Sequence, residues 1–151
     1  MVVRWIDMLR VIAASRLGDA AAARAGLARL EQGADELPPW ITKDLTFARA
    51  HVARMEGATD RAVALFVDPW VLNHNGLFDP GRGRAQPGLH HFALVGILLA
   101  AETLEDAGRH EEARRLLEQL TTTYHRGIGA VLVHRRASEA LRRASGGRGR
   151  P

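Results

Sequence analysis

The chain has 151 residues, no cysteine, 5% aromatic residues and a formal net charge of +4. This length fits one domain that buries roughly two thirds of its unfolded surface, and the absence of cysteine excludes disulfides, thiolate nucleophiles and cysteine-based zinc sites, with a reducing cytoplasm as the expected compartment. The positive charge is local: from Arg135 onward six arginines stand against Glu139, a +5 that leaves the rest of the chain at −1, so no general nucleic-acid-binding surface is implied.

Alanine, leucine and arginine dominate, and these favour helix over the β-branched and aromatic content of sheets. An all-α fold is expected. Val3, Ile6, Leu9, Ile12, Ala13 and Leu17 recur at helical spacing, which predicts a first amphipathic helix with that stripe as its apolar face. Asp7 and Arg10 interrupt the apolar run that a signal peptide needs. Gly18 stops this helix and Asp19 is placed to cap a second, over 20–31, with Leu27 and Leu30 as its large side chains. Gly33 and the Pro38-Pro39 pair then predict a loop. A third helix opens at Pro39 or Trp40 and runs to about Glu56, with Leu45, Ala48, Val52 and Met55 on one face. Gly57 and a Thr59-Asp60 cap lead into a short fourth helix ending at Phe66.

Residues 67–88 hold three prolines, four glycines and no sustained period. They read as a long connection, beyond the usual 12 to 15 residues, part of which packs through Trp70, Leu77 and Phe78. A fifth helix is predicted over 89–107 and a sixth over 111–122. A Gly127-Ile128-Gly129 spacer then precedes a last helix over 130–144, and the tail 146–151 is expected to be disordered. The most apolar run, Phe92 to Ala101, is shorter than the about 20 residues needed to cross a bilayer, so no membrane association is expected.

One pattern recurs three times: a helix, then Gly-x-x-x-x-Ala, then another helix. The pairs are Gly18 with Ala23, Gly57 with Ala62, and Gly108 with Ala113. Each glycine follows a first helix, and each alanine stands where a second helix must approach the first closely. The best copy is Leu98 to Leu120, with the turn Gly108-Arg109-His110-Glu111-Glu112-Ala113. This resembles the tetratricopeptide repeat family. The glycines are 39 and 51 residues apart against the family period of 34, and the excess falls in the two loops. More narrowly, the arrangement is similar to C-terminal repeat regions of bacterial signalling proteins such as eukaryotic-like serine/threonine kinases and transcriptional regulators, although no kinase motif is present.

The resemblance implies an α-α superhelix within residues 1–145, made of about three hairpins (3–32, 39–68, 89–123) and the last helix. It also implies a noncatalytic scaffold that holds a protein or peptide in a concave groove lined by first helices. By position the groove residues are Trp5, Met8, Ile12, Arg16, Asp44, Phe47, His51, Arg54, Val95, Leu98, Glu102, Glu105 and Asp106. The family's carboxylate-clamping pattern is absent, since Met8, Ile12, Ala48, Val95 and Leu99 stand in its place, so chaperone-tail binding is not expected. An alternative makes the chain a sensing or effector module of a transcriptional regulator that acts through the basic last helix.

No residue is assigned a catalytic, cofactor-binding or metal-ligating role. His90 and His91 are adjacent on a helix, about 100° apart, and do not face one metal together. Glu111 and Glu112 read as partners of a helix N-terminus rather than an acid/base pair, because no nucleophile or orienting group accompanies them. Gly81-Arg82-Gly83-Arg84 lacks the GK[ST] of a phosphate-binding loop. Finally, the first helix begins at once with Val2, Val3, Trp5 and Ile6, without the polar cap that ends a helical stack. The expectation is that the chain continues upstream or self-associates through this end.

Overall fold

In the computed structural model the described residues are 2–34, 39–68, 90–123 and 130–146, with side chains described for 6–34, 45–68, 94–121 and 132–143. The connection at 69–88, with Trp70, the spacer at 127–129 and the tail at 147–151 lie outside them, and the side chain of Trp40 is outside those described. The described residues form seven helices and no strand. These are α1 (Val2–Leu17), α2 (Ala20–Glu31), α3 (Pro39–Met55), α4 (Thr59–Phe66), α5 (His90–Asp106), α6 (His110–Thr123) and α7 (Ala130–Gly146). None is long and apolar enough to cross a membrane.

Three hairpins, α1–α2, α3–α4 and α5–α6, share one turn geometry. Gly18, Gly57 and Gly108 have φ of 75°, 74° and 73°. In each turn the glycine N–H bonds the carbonyl three residues back, and the next N–H bonds the carbonyl five back: Asp19 to Ala14 at 2.9 Å, Ala58 to Ala53 at 2.9 Å, Arg109 to Leu104 at 2.8 Å. This is the Schellman arrangement, which satisfies carbonyls a helix end would otherwise leave open and requires left-handed φ at its glycine. The glycines are there for conformation, because a Cβ at any of the three would meet nothing within 4 Å. Gly108→Ala is therefore expected to cost about 1–2 kcal/mol through backbone strain alone, read as a lower urea midpoint with unchanged slope.

Five residues after each glycine, Ala23, Ala62 and Ala113 are all 0% exposed, sealed between the two helices of their hairpin. Asp19 caps α2 by accepting from Ala22 N–H at 3.0 Å. The expected Thr59-Asp60 cap is corrected: the cap position of α4 is Ala58, with no side-chain cap bond, and Thr59 is already helical. Chain geometry decides this, because the Schellman turn at Gly57 places the following residue, whatever its type, at the start of the helix.

The hairpins stack in chain order. Both α1 and α2 contact α3, α4 contacts α5, and α5 and α6 contact α7. Three apolar clusters follow from this. One joins hairpin one to α3 through Met8, Val11, Leu30, Leu45 and Val52. A second joins α3 and α4 to α5 through Phe47, Phe66, Leu99 and Ala100. The third fills hairpin three and α7 with Ile97, Leu98, Leu117, Leu120 and Val133. Buried hydroxyls are satisfied inside their own helices: Ser15 Oγ donates to Val11 O at 2.8 Å and Thr103 Oγ1 to Leu99 O at 2.6 Å, the usual local solution for such side chains.

The face of α1 differs from expectation. Met8, Val11 and Ser15 face the core, while Ile6, Leu9 and Leu17 of the predicted stripe are 43%, 50% and 85% exposed.

Candidate partner-binding cleft

Because the three turns are equivalent, the last turns of α1, α3 and α5 come to equivalent places. Six residues before each turn glycine stand Ile12, His51 and Glu102; three before stand Ser15, Arg54 and Glu105; two before stand Arg16, Met55 and Asp106. Stacking the hairpins sets these positions side by side, and α7 adds Arg136. They enclose a cleft of about 370 Å³ lined by Arg16, His51, Arg54, Glu102, Asp106 and Arg136. A larger cleft of about 1100 Å³ shares Arg54, Glu102, Asp106 and Arg136 with it and extends along the α5–α6 turn to Arg143.

Ion pairs cross this surface between helices. Arg54 Nη2 lies 2.7 Å from Asp106 Oδ2 and its Nη1 lies 3.6 Å from Glu102 Oε2. The other oxygen of Glu102 takes Arg136 Nη2 at 3.1 Å. Glu102 thus ties α3, α5 and α7 together. The side chains of Arg54 and Glu102 are only about one quarter exposed, 26% and 24%, so salt screens this link less than a fully exposed pair. At the rim, Arg109 bonds Glu112 at 2.7 Å and also Asp60 of α4. Those bonds raise its pKa, and the Arg109 bond in turn holds the Glu112 carboxyl below its usual value. Glu111 and Glu112 lie in the first turn of α6, where carboxylates favour the helix dipole. Glu111 also pairs with Arg114 at 2.8 Å.

Beneath the cleft, His51 is 5% exposed. Its ring stands edge-on to Phe47 and Phe66, with centroids 5.0 and 5.2 Å away. Burial, then the charges of Arg16 and Arg54, push its pKa down to about 4. The imidazole is neutral at pH 7 and serves as a packed floor. The folded value lies below the about 6.5 of an unfolded histidine, so the contribution of His51 to stability is complete above about pH 6.5 and is lost as pH falls toward 4. The loss is on the order of 3 kcal/mol. His51→Phe is expected to remove this part of the acid sensitivity, seen as a flatter pH dependence of the urea midpoint between pH 6.5 and 4.

The expected groove is corrected in part. Met8, Phe47 and Leu98 are 1–6% exposed because hairpin-to-hairpin packing consumes that side of their helices, and His51, 5% exposed, reaches the cleft only as its floor. Ile12 and Val95 are half-buried against the same clusters. Arg16, Arg54, Glu102 and Asp106 are brought together in the cleft, and Glu105 lines its larger part, 3.1 Å from His110. The side chains of Trp5 and Asp44 lie outside those described. Arg136 is the residue that sequence reasoning missed, having counted it only in a basic patch; no repeat position signals its contact with Glu102, which the packing of α7 on α5 creates. Among the described residues, no group of three or more His, Asp or Glu side chains is placed to hold a metal ion.

The class defined by these features is an all-α array of stacked helical hairpins with a polar cleft. Compared with protein-family models, curated proteins and solved structures, the chain matches none.

Proposed function

We propose that the protein is a noncatalytic, tetratricopeptide-like scaffold that holds a protein or peptide segment in this cleft, in the manner of signalling and regulatory assemblies. The observation that carries the reading is that the first helix of every hairpin, together with α7, contributes to one polar surface, as a recognition groove built from repeated units requires. Arg16, Arg54, Glu102, Asp106 and Arg136 supply its charge. The rival reading, an effector that contacts nucleic acid through α7, draws less support: Arg135 is engaged by Glu139 at 3.0 Å and Arg136 by Glu102.

The test is comparative capture from cells with the full chain, an Arg16→Glu/Arg136→Glu variant and an Arg29→Glu control, each first shown to be folded by circular dichroism. A partner retained by the control and lost with the cleft variant is expected. Partners indifferent to the cleft substitutions, or a defined small-molecule turnover by the purified chain, would sink the proposal.

A further inference from the structure

The cleft is lined by both signs of charge, and the two signs are not matched. Its carboxylates are all taken. Glu102 holds Arg54 and Arg136, Asp106 holds Arg54 at 2.7 Å, and Glu105 meets His110 at 3.1 Å. Glu111 holds Arg114 at 2.8 Å and Glu112 holds Arg109 at 2.7 Å. The second oxygen of Glu105 lacks a bond but is buried, beyond the reach of a ligand. Two cations on the same walls differ. Arg16, exposed at the end of α1, lines the smaller cleft, and Arg143, exposed near the end of α7, lines the larger. Neither has an ion pair or a hydrogen bond among the described residues. Unpaired arginines are ordinary on a surface this rich in arginine; these two are set apart by sharing a cleft whose every carboxylate is turned to another cation.

Their places also set a spacing. Arg16 shares the smaller cleft with Arg136, and Arg143 stands seven residues further along α7, about 10 Å away on the same side of that helix. An extended chain covers this distance in about three residues.

We propose that the cleft binds an acidic peptide segment, with one side-chain carboxylate at Arg16 and a second, three or four residues away, at Arg143. This rests on the scaffold reading and names the chemistry of its partner. An unpaired guanidinium presents a planar fork of N–H donors that matches a carboxylate. A basic segment finds no free carboxylate and would have to break pairs that already hold α3, α5 and α7 together. A nucleic-acid strand carries charge at every residue and would set phosphates against Glu105, Glu111 and Glu112, whereas two separated carboxylates avoid them.

The experiment selects short linear sequences from a random displayed peptide library against the immobilised full chain. Selected peptides are synthesised with amidated C-termini, so that side chains alone carry negative charge, and their affinities are measured by fluorescence polarisation. Peptides with two Asp or Glu residues three or four apart are expected. Arg16→Gln and Arg143→Gln are each expected to weaken their binding about fivefold with circular dichroism unchanged, while Arg29→Gln on α2, outside the cleft, leaves it as in wild type. Replacing one acidic residue of the peptide by Gln should cost a similar factor, and should cost nothing more in the arginine variant that it faces. This peptide-side substitution reads the same contact in the wild-type chain, so the test survives a variant that fails to fold. Neutral or basic peptides that are lost with Arg16→Glu/Arg136→Glu would overturn this inference and leave the scaffold reading standing. Acidic peptides indifferent to both glutamines, or displaced by single-stranded oligonucleotides at lower concentration than by one another, would overturn it as well. Recovery of no peptide that depends on the cleft would overturn both.

Discussion

Phe66→Ala is expected to lower the unfolding free energy by about 3–5 kcal/mol, the range for emptying a large aromatic site in a core. Phe66 is 0% exposed and lies at the end of α4. Its ring stands 5.6 Å from Phe47 and 5.2 Å from His51, and the same cluster contains Leu99 and Ala100 of α5. The side chain therefore joins hairpin two to hairpin three as well as filling its own hairpin. Truncation would leave a cavity that α4, only 8 residues long, cannot close by bending. For a domain whose total stability is of the order of 5–15 kcal/mol, such a loss should leave a measurable unfolded fraction at room temperature. Urea unfolding gives the size of the effect. A second readout identifies its cause: water admitted beside His51 should raise its pKa back toward the usual histidine value, so the stability of the variant should fall less steeply between pH 6.5 and 4. A Phe66→Ala protein with wild-type midpoint and pH profile would contradict the packing described.

Gly96→Ala is expected to destabilise by about 2 kcal/mol, although alanine favours helix over glycine by about 1 kcal/mol. A Cβ at position 96 would stand 2.5 Å from the carbonyl oxygen of Phe66. That atom is backbone, held by the end of α4, so α4 and α5 would have to separate; overpacking of this kind costs about 1–3 kcal/mol or more. Gly26 is a second close approach. There a Cβ would meet Val11 Cγ2 at 2.7 Å, a methyl on a buried β-branched side chain that is stiff about χ1, so Gly26→Ala should also destabilise, by about 1–3 kcal/mol. Stabilisation by Gly96→Ala in chemical denaturation would show that α4 and α5 do not approach at that point.

Gly96 and Gly26 also show where the residues alone stop being informative. Glycine inside a helical pattern reads as a tolerated defect, and nothing in its neighbours reveals that another helix needs the missing Cβ. The turn glycines are different, since Gly18, Gly57 and Gly108 each stand at the end of an apolar period and five residues before an alanine. Local chemistry specifies them, so the ends of all seven helices were legible to within a residue or two. The cleft was legible only in part. Its positions follow from the repeat, but which of them reach solvent depends on how deeply each hairpin settles on the next. Met8, Phe47 and Leu98 are consumed by that contact and His51 is left only as the floor, while Arg16, Arg54, Glu102 and Asp106 remain at its edge.

The same division runs through α1. By itself the sequence determined that residues 2–17 are helical, that a left-handed glycine ends them and that a second helix returns along the first, because φ preferences, capping and apolar periodicity act over a few residues. It also determined the all-α class and the three-fold recurrence of the hairpin. Only the tertiary structure decided which side of α1 is inside. Two apolar sides compete there, and the one holding Met8, Val11 and Ser15 is chosen because Val11 fits against Gly26 of α2 and the cluster extends to Ala48 of α3. Small residues on two other helices select that face through close approach, which leaves Ile6, Leu9 and Leu17 outside.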